Sequence, residues 1–132
     1  MPSVFKDIID RKIPAHIVYE DEHTVAFLDA HPLCEGHTLV VPKKEHADIF
    51  DMPPQELAHV MTATKNVVTL LRKTLGCQGI NILHASGKSA QQSVPHFHLH
   101  IIPRHDGDGM NLWPHVGVKH FDLDIVHKKI VR

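Results

Sequence analysis

The sequence predicts an α+β domain in which a five-stranded, mainly antiparallel sheet packs against one long helix. Three observations lead to this fold class. The first part of the chain contains three short runs rich in β-branched and aromatic residues, in hairpin-like succession. The middle of the chain is one long segment with apolar residues at helical spacing. Two more short apolar runs follow that segment.

The first three strands are assigned to the apolar runs at residues 17–19, 24–28 and 38–41. Acidic residues and prolines separate these runs, so each run is bounded by turn-forming residues. Two later strands are assigned to residues 79–83 and 94–102, on either side of a loop rich in glycine, serine and glutamine. These two strands complete the predicted sheet.

One long amphipathic helix is predicted from residue 54 to residue 75. Its apolar residues recur at roughly helical spacing: Leu57, Val60, Met61, Val67, Val68, Leu71 and Leu75. Asp51 is the expected N-terminal cap, and Gly76 is the expected stop. A short terminal helix is predicted over residues 121–131, because the apolar residues of that segment fit one helical face.

Composition limits the classes of function that the chain can have. Its 132 residues suit one domain, which we place at residues 3–113 with a tail at 114–132. Basic residues (14) nearly balance acidic residues (15), so no duplex nucleic acid is expected as a partner. The start of the chain has no long apolar run, so we expect a cytoplasmic protein without membrane association. Cys34 and Cys77 are far apart, which does not indicate a thiolate zinc site.

Three histidines near the end of the domain alternate with apolar residues: His96, His98 and His100. Successive side chains of a strand point to opposite faces, so the three imidazoles should share one face. Phe97, Leu99 and Ile101 should then point into the core. Pro95 and Pro103 bracket the run and should limit the strand at both ends.

The remaining histidines carry less information than this triplet. Isolated ones, among them His23 and His59, are expected to be structural or surface residues. Packing does not explain three adjacent imidazoles, because each buried ring nitrogen needs a partner. The spacing leaves two functions open, zinc binding or nucleophilic chemistry on a phosphoryl group. The loop at 87–93 favours phosphate, since it offers amides and polar side chains but no Asp, Glu or Cys.

The run 96–102, His-Phe-His-Leu-His-Ile-Ile, resembles the motif of the histidine-triad family. Further blocks that resemble family blocks occur in family order, at residues 13–15, 26–29, 36–44, 92–94 and 103–104. The resemblance covers about residues 3–113. It implies an α+β fold and a homodimer in which strands of two subunits form one continuous sheet. The long helix would lie at that interface.

The resemblance also implies a role for each residue of the triad region. His98 would attack the α-phosphorus of a nucleotide and form a nucleotidyl-histidine that water later hydrolyses. His96 and His100 would flank the phosphate, with His100 assisting the leaving group. Ser93 would donate a hydrogen bond to the leaving group, and Gln92 would contact the phosphate.

The rest of the nucleotide would be bound by residues from the first part of the chain. Asp29 would accept hydrogen bonds from the ribose hydroxyls. His37 would lie near the triad and fix the orientation of one ring. An apolar pocket for the purine base is expected from four residues: Phe5, Ile8, Phe27 and Leu39.

The chain departs from the family pattern at two places. Ala85 stands eleven residues before His96, where the family usually has Asn or Gln that contacts the phosphate or nucleotide. Residues 4–7 lack the cysteine pair that helps to bind structural zinc in some bacterial-type relatives. We therefore expect an altered substrate contact at Ala85, and no metal or other cofactor.

The leading prediction is a purine nucleoside phosphoramidase or related nucleotide hydrolase, with a purine nucleotide as substrate. A dinucleoside polyphosphate hydrolase is the nearest alternative, because it would use the same nucleophile with a different leaving group. A nucleotide-binding regulatory protein with little activity is an alternative of another class, favoured by Ala85. A metalloprotein is a third class, which stoichiometric zinc in the purified protein would support.

Overall fold

One antiparallel sheet, three α-helices and a short 3-10 helix (Lys88–Ala90) form the regular structure of residues 3–113 and 116–131, the parts of the chain that the computed structural model describes. The elements in chain order are α1 (Val4–Ile9), β1 (Ile17–Glu20), β2 (Thr24–Leu28), β3 (Thr38–Pro42), α2 (Pro54–Leu75), β4 (Gly79–Leu83), β5 (Leu99–Arg104) and α3 (Leu123–Ile130). The strand order is β1-β2-β3-β5-β4, with every pair antiparallel. The predicted α+β fold with five strands is confirmed.

The sheet separates two apolar layers, because consecutive residues of each strand point to opposite faces. Ala26 and Val40 pack with the buried face of α2, together with Phe97, Leu99 and Ile101. The predicted core face of the histidine run is thus confirmed. The opposite face of the sheet packs against α1 through a smaller cluster: Phe5, Ile8, Val25, Phe27, Leu39 and Val41. The functional cavity lies on this second, less covered face.

The sequence did not predict α1, which has only six residues and so gives little periodic signal. Its N-cap is Ser3, whose Oγ accepts a hydrogen bond from the backbone N–H of Lys6 at 3.2 Å. Phe5 and Ile8 lie one turn apart and are both buried. This short helix therefore supplies one wall of the cavity.

The predicted bounds of α2 agree with the observed helix, Pro54–Leu75. Gly76 ends it in the left-handed conformation, as expected, and its N–H donates to the carbonyl of Arg72. The predicted cap at Asp51 is wrong. Pro53 occupies the N-cap position, and the Asp51 carboxylate instead accepts from the N–H of Ala47 at 3.0 Å.

The last strand begins later than predicted and includes a proline. It was expected at residues 94–102, but β5 starts at Leu99. The N–H of His96 donates to the carbonyl of Val94 at 2.8 Å, which turns the backbone and interrupts the extended conformation. Pro103 is tolerated inside β5, since the pairing with β3 ends at Ile101. The histidine run therefore lies half in a bend and half in a strand between two neighbours.

The predicted terminal helix is confirmed as α3, which begins at its cap Asp122 and has no buried residue. Trp113 is also exposed and does not line the cavity. Residues 114, 115 and 132 of the predicted tail lie outside the described part of the chain. No helix in the described ranges combines the length and apolar character needed to cross a bilayer.

Replacing Gly36 should destabilise the fold, because this glycine combines a positive φ of +88° with close packing. An added Cβ would lie 2.5 Å from Cδ1 of Leu75 and 3.1 Å from Cγ of Pro103. We expect Gly36→Ala to lower the free energy of unfolding by about 3 kcal/mol in urea denaturation. Gly87→Ala is the matched control, since Gly87 also has a φ of +88° but open space around it. It should lose only about 1 kcal/mol. Equal losses would mean that packing at Gly36 does not matter.

Candidate active site

A cavity of about 800 Å³ lies between α1, β2 and the bend before β5. Its apolar side includes all four residues predicted for the base pocket: Phe5, Ile8, Phe27 and Leu39. Its polar side includes four more predicted site residues: Asp29, Ser93, His98 and His100. Three predicted residues do not line this cavity: His37, Gln92 and His96. The fold thus brings most of the predicted site together around one space.

His98 is held with one ring nitrogen bonded and the other free to act. Its Nδ1 lies 2.7 Å from the carbonyl oxygen of His96. A carbonyl can only accept, so Nδ1 carries the proton and Nε2 keeps its lone pair in the neutral ring. Burial lowers the pKa of His98 below its ordinary value, outweighing the hydrogen bond to His96. The ring is therefore neutral at pH 7, with its lone pair on Nε2.

A second imidazole at the cavity, His100, presents a proton. The N–H of Leu33 donates to Nδ1 of His37 at 3.1 Å, so the proton of neutral His37 is on Nε2. That Nε2–H donates to Nδ1 of His100 at 3.0 Å. The remaining nitrogen of His100, Nε2, must then carry the proton. Burial, with smaller contributions from His98 and His37, lowers the pKa of His100 to about 4.

Asp29 lies beside this pair of rings, on the wall of the same cavity. Its Oδ1 accepts from the N–H of His31 at 2.8 Å, which fixes the turn after β2. Its Oδ2 lies 3.4 Å from Nε2 of His37 and 4.0 Å from Nδ1 of His100. The Asp29 carboxylate therefore raises the pKa of His37, although burial lowers that pKa by more. Asp29 thus joins the turn to the ring pair at the edge of the cavity.

His96 does not face the cavity, contrary to the prediction that it flanks the phosphate. It is fully buried. Its Nε2–H donates to the carbonyl of Pro42 at 2.8 Å, and its Nδ1 accepts from the hydroxyl of Ser3 at 3.1 Å. Both ring nitrogens are thus occupied. In this arrangement His96 joins the start of α1 to the end of β3 and positions His98 through its carbonyl.

Gln92 also departs from its predicted contact with phosphate. Its Oε1 accepts from the N–H of Gly87 at 2.9 Å. Its Nε2 donates to the carbonyls of Ala47 and Val94, at 2.6 and 2.9 Å. The whole amide is used to close the loop before the bend. Within this loop, the N–H groups of residues 90–92 donate to its own carbonyls, so they are not turned toward a phosphate.

His84 is a residue of the site region that the sequence interpretation missed. Its Nδ1–H donates to the carbonyl of His98 at 2.9 Å, and its Nε2 accepts from the hydroxyl of Ser86. Its ring also packs on Phe97, with 4.5 Å between ring centroids. The sequence contains a signal for this position, because His84 directly follows β4. Since β4 pairs with β5, a residue at the end of β4 lies beside the triad. His84 therefore supports the backbone that carries His98.

Ala85 lines a smaller cavity of about 370 Å³ that shares Asp29 and His100 with the main one. An Asn or Gln at this position would present an amide to that space. A methyl group offers no hydrogen bond, so this contact of the family pattern is absent at position 85.

Asp29, His37 and His100 also present one possible metal ligand each, all within 4.8 Å of one another. In the tautomers deduced above, however, His37 and His100 are hydrogen-bonded to each other through two of these nitrogens. A metal ion would have to replace that bond. The arrangement therefore fits proton positioning better than metal binding.

A family model described as the HIT domain matches residues 10–107. The chain belongs to the histidine-triad (HIT) family. An uncharacterized HIT-like protein of Methanocaldococcus jannaschii is 48% identical over 96% of this chain and 97% of that protein. The adenosine 5′-monophosphoramidase of Saccharomyces cerevisiae is 34% identical over 97% of this chain and 80% of its own length. Among solved structures, a histidine triad nucleotide-binding protein of Candida albicans matches with a TM-score of 0.81 and 31% identity, covering 98% and 94% of the two chains.

The proton positions in this HIT protein can be checked by ¹⁵N NMR of the histidine rings. We expect an Nδ1–H tautomer for His98 and an Nε2–H tautomer for His100 at pH 7, since each is set by a fixed partner. His37 lies between the N–H of Leu33 and His100, so His37→Phe should leave His100 as a mixture of tautomers. It should also lower kcat of the phosphoramidate hydrolysis proposed below by about tenfold or more. His98 should be unchanged in that variant. A single Nε2–H tautomer of His100 in His37→Phe would contradict the relay.

Proposed function

We propose that this HIT protein hydrolyses the phosphoramidate bond of a purine nucleoside 5′-phosphoramidate through a covalent nucleotidyl-histidine at His98. The observation that carries the proposal is the pair of fixed tautomers at the cavity. His98 keeps a lone pair on Nε2, and His100 carries a proton on Nε2, with 5.0 Å between the two ring centroids. A nucleophile and a hydrogen-bond donor side by side suit attack on a phosphoryl group.

In the first step, the lone pair of His98 Nε2 attacks the α-phosphorus, and the P–N bond to the leaving amine breaks. The amine must gain a proton to leave, and the hydroxyl of Ser93 and the N–H of His100 are the donors at the cavity. In the second step, water attacks the same phosphorus, the bond from phosphorus to Nε2 breaks, and a proton of that water returns to the group that protonated the amine. The products are a nucleoside 5′-monophosphate and free amine, with His98 regenerated.

The remaining parts of the nucleotide fit the two sides of the cavity. The base would pack against the apolar wall to which Phe5 and Phe27 contribute, two rings that already contact each other edge to face at 5.5 Å. The ribose hydroxyls would donate to Oδ2 of Asp29, since Oδ1 is already used by the turn. The resemblance to an adenosine 5′-monophosphoramidase supports a purine base and an amine leaving group.

A homodimer is part of this proposal. In the described chain β4 is an edge strand, whose residues Gly79, Ile80 and Leu83 are partly exposed and whose Ile82 is exposed. An unpaired edge of this kind can pair with a second copy and continue the sheet. Light scattering after gel filtration should give twice the monomer mass. Ile82→Lys, which places a charge on that edge, should shift the protein toward monomer.

The experiment that tests the activity compares two substrates and looks for the adduct. An adenosine 5′-phosphoramidate should be turned over, and rapid-quench mass spectrometry should show the chain with one added adenylyl group on His98. Turnover of diadenosine tetraphosphate alone would replace the phosphoramidase proposal with the polyphosphate hydrolase. Tight binding of AMP with no adduct and no turnover would instead make the protein a nucleotide-binding regulator.

Ala85 gives the regulator a specific observation in its favour, because this position offers the phosphate no hydrogen bond. We expect Ala85→Asn to raise kcat/KM for the phosphoramidate by up to about tenfold, the value of one neutral hydrogen bond. Steady-state kinetics would measure the change, with Ala85→Val as the control that adds volume without an amide. An equal response of both variants would mean that position 85 acts through shape alone.

A further inference from the structure

A group of three metal-binding residue types lies outside the cavity, where the turn between β1 and β2 meets the start of α2. We call it the turn–helix cluster, and its members are His23, Glu56 and His59. Each offers one ligand atom, and the three atoms all lie within 4.8 Å of one another. None of them lines the proposed nucleotide site.

Two members of the cluster share one face of α2. Glu56 and His59 are three residues apart in the helix, so their side chains project side by side. A Glu-x-x-His pair on a helix is an arrangement that supplies metal ligands in helical bundles. The ring of His23 stacks on that of His59, with centroids 3.7 Å apart and planes 10° apart. Imidazole binds a metal in its ring plane, so one ring would tilt out of this stack to direct its nitrogen at an ion held by the other.

The turn that carries His23 is fixed in place before any ion binds. Oδ1 of Asp21 accepts from the N–H groups of His23 and Thr24, at 2.9 and 2.8 Å. Oδ2 of Asp21 accepts from the hydroxyl of Tyr19, which in turn accepts from Nδ2 of Asn66 in α2. The turn is therefore tied to the helix that carries the other two ligands. Ligands on rigid, connected elements lose little entropy on binding a metal.

The carboxylate of the cluster has no hydrogen bond within the described ranges, although its side chain is only 11% exposed. The neighbouring Nε2 of His46 is also buried and lacks a partner in the described part of the chain. It lies 3.6 Å from Oε1 of Glu56, too far for a good hydrogen bond. A buried ring nitrogen left in this way indicates an absent hydrogen-bond partner. A small shift of the Glu56 carboxylate on binding an ion would bring Oε1 within hydrogen-bond distance of His46 Nε2, and His46 would then orient the carboxylate.

We propose that the turn–helix cluster binds one borderline divalent transition-metal ion, with Zn²⁺ as the best match. Two imidazoles and one carboxylate are ligands that Zn²⁺ accepts, whereas Ca²⁺ and Mg²⁺ prefer oxygen alone. The fourth position is open to water, because the side chain of His23 is 38% exposed. The carboxylate of Glu22, 3.7 Å from Nε2 of His23, is an alternative fourth ligand. The ion would fasten the first hairpin to α2.

The site is tested with the full-length protein after chelation, by calorimetric titration with Zn²⁺ and by visible absorption with Co²⁺. We expect one equivalent of metal per chain, and a Co²⁺ spectrum without the intense near-ultraviolet band that a thiolate ligand gives. Glu56→Gln, which nearly keeps the side-chain shape, should weaken binding at least about tenfold. The double variant His23→Ala/His59→Ala should abolish that equivalent.

Two controls separate this site from other histidines. His127→Ala, on the exposed helix α3, should bind metal as the original chain does. His100→Ala reports the other cluster, and it should also leave the equivalent unchanged. Undiminished binding in Glu56→Gln and in the double variant, or loss confined to His100→Ala, would overturn the proposal.

A stability measurement distinguishes a metal ligand from a residue that only packs. Saturating Zn²⁺ should raise Tm of the original chain by roughly 5 °C or more, because the ion binds the folded state. Glu56→Gln should lose this increment even if its metal-free Tm is unchanged. A Tm that rises equally in both proteins would also overturn the proposal.

Discussion

Replacement of His98 by alanine should lower kcat for phosphoramidate hydrolysis by at least about a thousandfold, the scale expected when a covalent nucleophile is removed. Among the three histidines of the motif, His98 is the ring with an unused nitrogen lone pair, because His100 presents a proton and His96 uses both of its nitrogens in bonds to Pro42 and Ser3. Neither a water molecule in the space left by the His98 ring nor His100 can readily replace His98 in the attack on phosphorus. Single-turnover assays with rapid quench would measure both the rate and the loss of the adduct.

The matched control for this variant is His16→Ala. His16 also lines the cavity, but it is exposed. It belongs neither to the His37–His100 pair nor to the His98–His100 pair. It should keep kcat within a few-fold while altering KM. AMP binding to His98→Ala, followed by calorimetry, should persist, because the apolar side and Asp29 are untouched. A nucleotidyl adduct of the same mass in His98→Ala would place the nucleophile elsewhere.

Acidification from about pH 7.5 to about pH 4.5 should destabilise the protein strongly. Burial lowers the pKa of four histidines below the ordinary value of 6.5: His37, His96, His98 and His100. The pKa of His100 falls to about 4. Below pH 6.5 these histidines bind protons in the unfolded chain but stay neutral in the folded chain. The free energy of unfolding therefore decreases as the pH decreases. The difference between 6.5 and about 4 amounts to about 3 kcal/mol for His100 alone once the pH reaches 4.

Urea denaturation at the two pH values would measure this loss. The titration of most carboxyl groups lies lower, so the window between pH 6.5 and 4.5 reports mainly the histidines. His100→Asn should reduce the pH dependence by about 2 kcal/mol, because Asn does not titrate. His127→Ala, in which an exposed ring is removed, should leave it unchanged. Equal slopes for His100→Asn and the original chain would show that His100 is not buried in its neutral form.

Much of the fold follows from local sequence pattern, and the exceptions have local physical causes. The ends of α2 were predictable because proline and glycine mark them, and the apolar spacing between them is regular. The start of β5 was not predictable from alternation. Pro95 and the hydrogen bond from the N–H of His96 to Val94 bend the segment, and that bond is a backbone property that alternation does not encode.

The residue types of the candidate site are predictable from the sequence. The directions in which their side chains point are less predictable. The apolar residues that line the cavity, together with Asp29 and Ser93, follow from the family resemblance. His96 and Gln92 were assigned to the phosphate because their types suit it, yet both side chains are bound to backbone groups of distant segments. The sequence does not single out His84, because the bond that ties it to the triad goes to the backbone carbonyl of His98 and not to a side chain of the motif.

The relay through His37 to His100 begins at a peptide nitrogen, the N–H of Leu33. A peptide N–H can donate but never accept, and it does not ionise near neutral pH. The positions of both protons are therefore dictated by the main chain, whichever residue other than proline stands at position 33. Side chains on the surface of this turn can therefore be substituted, and the substrate preference of the proposed enzyme can change with them. The proton positions on His37 and His100 would stay the same.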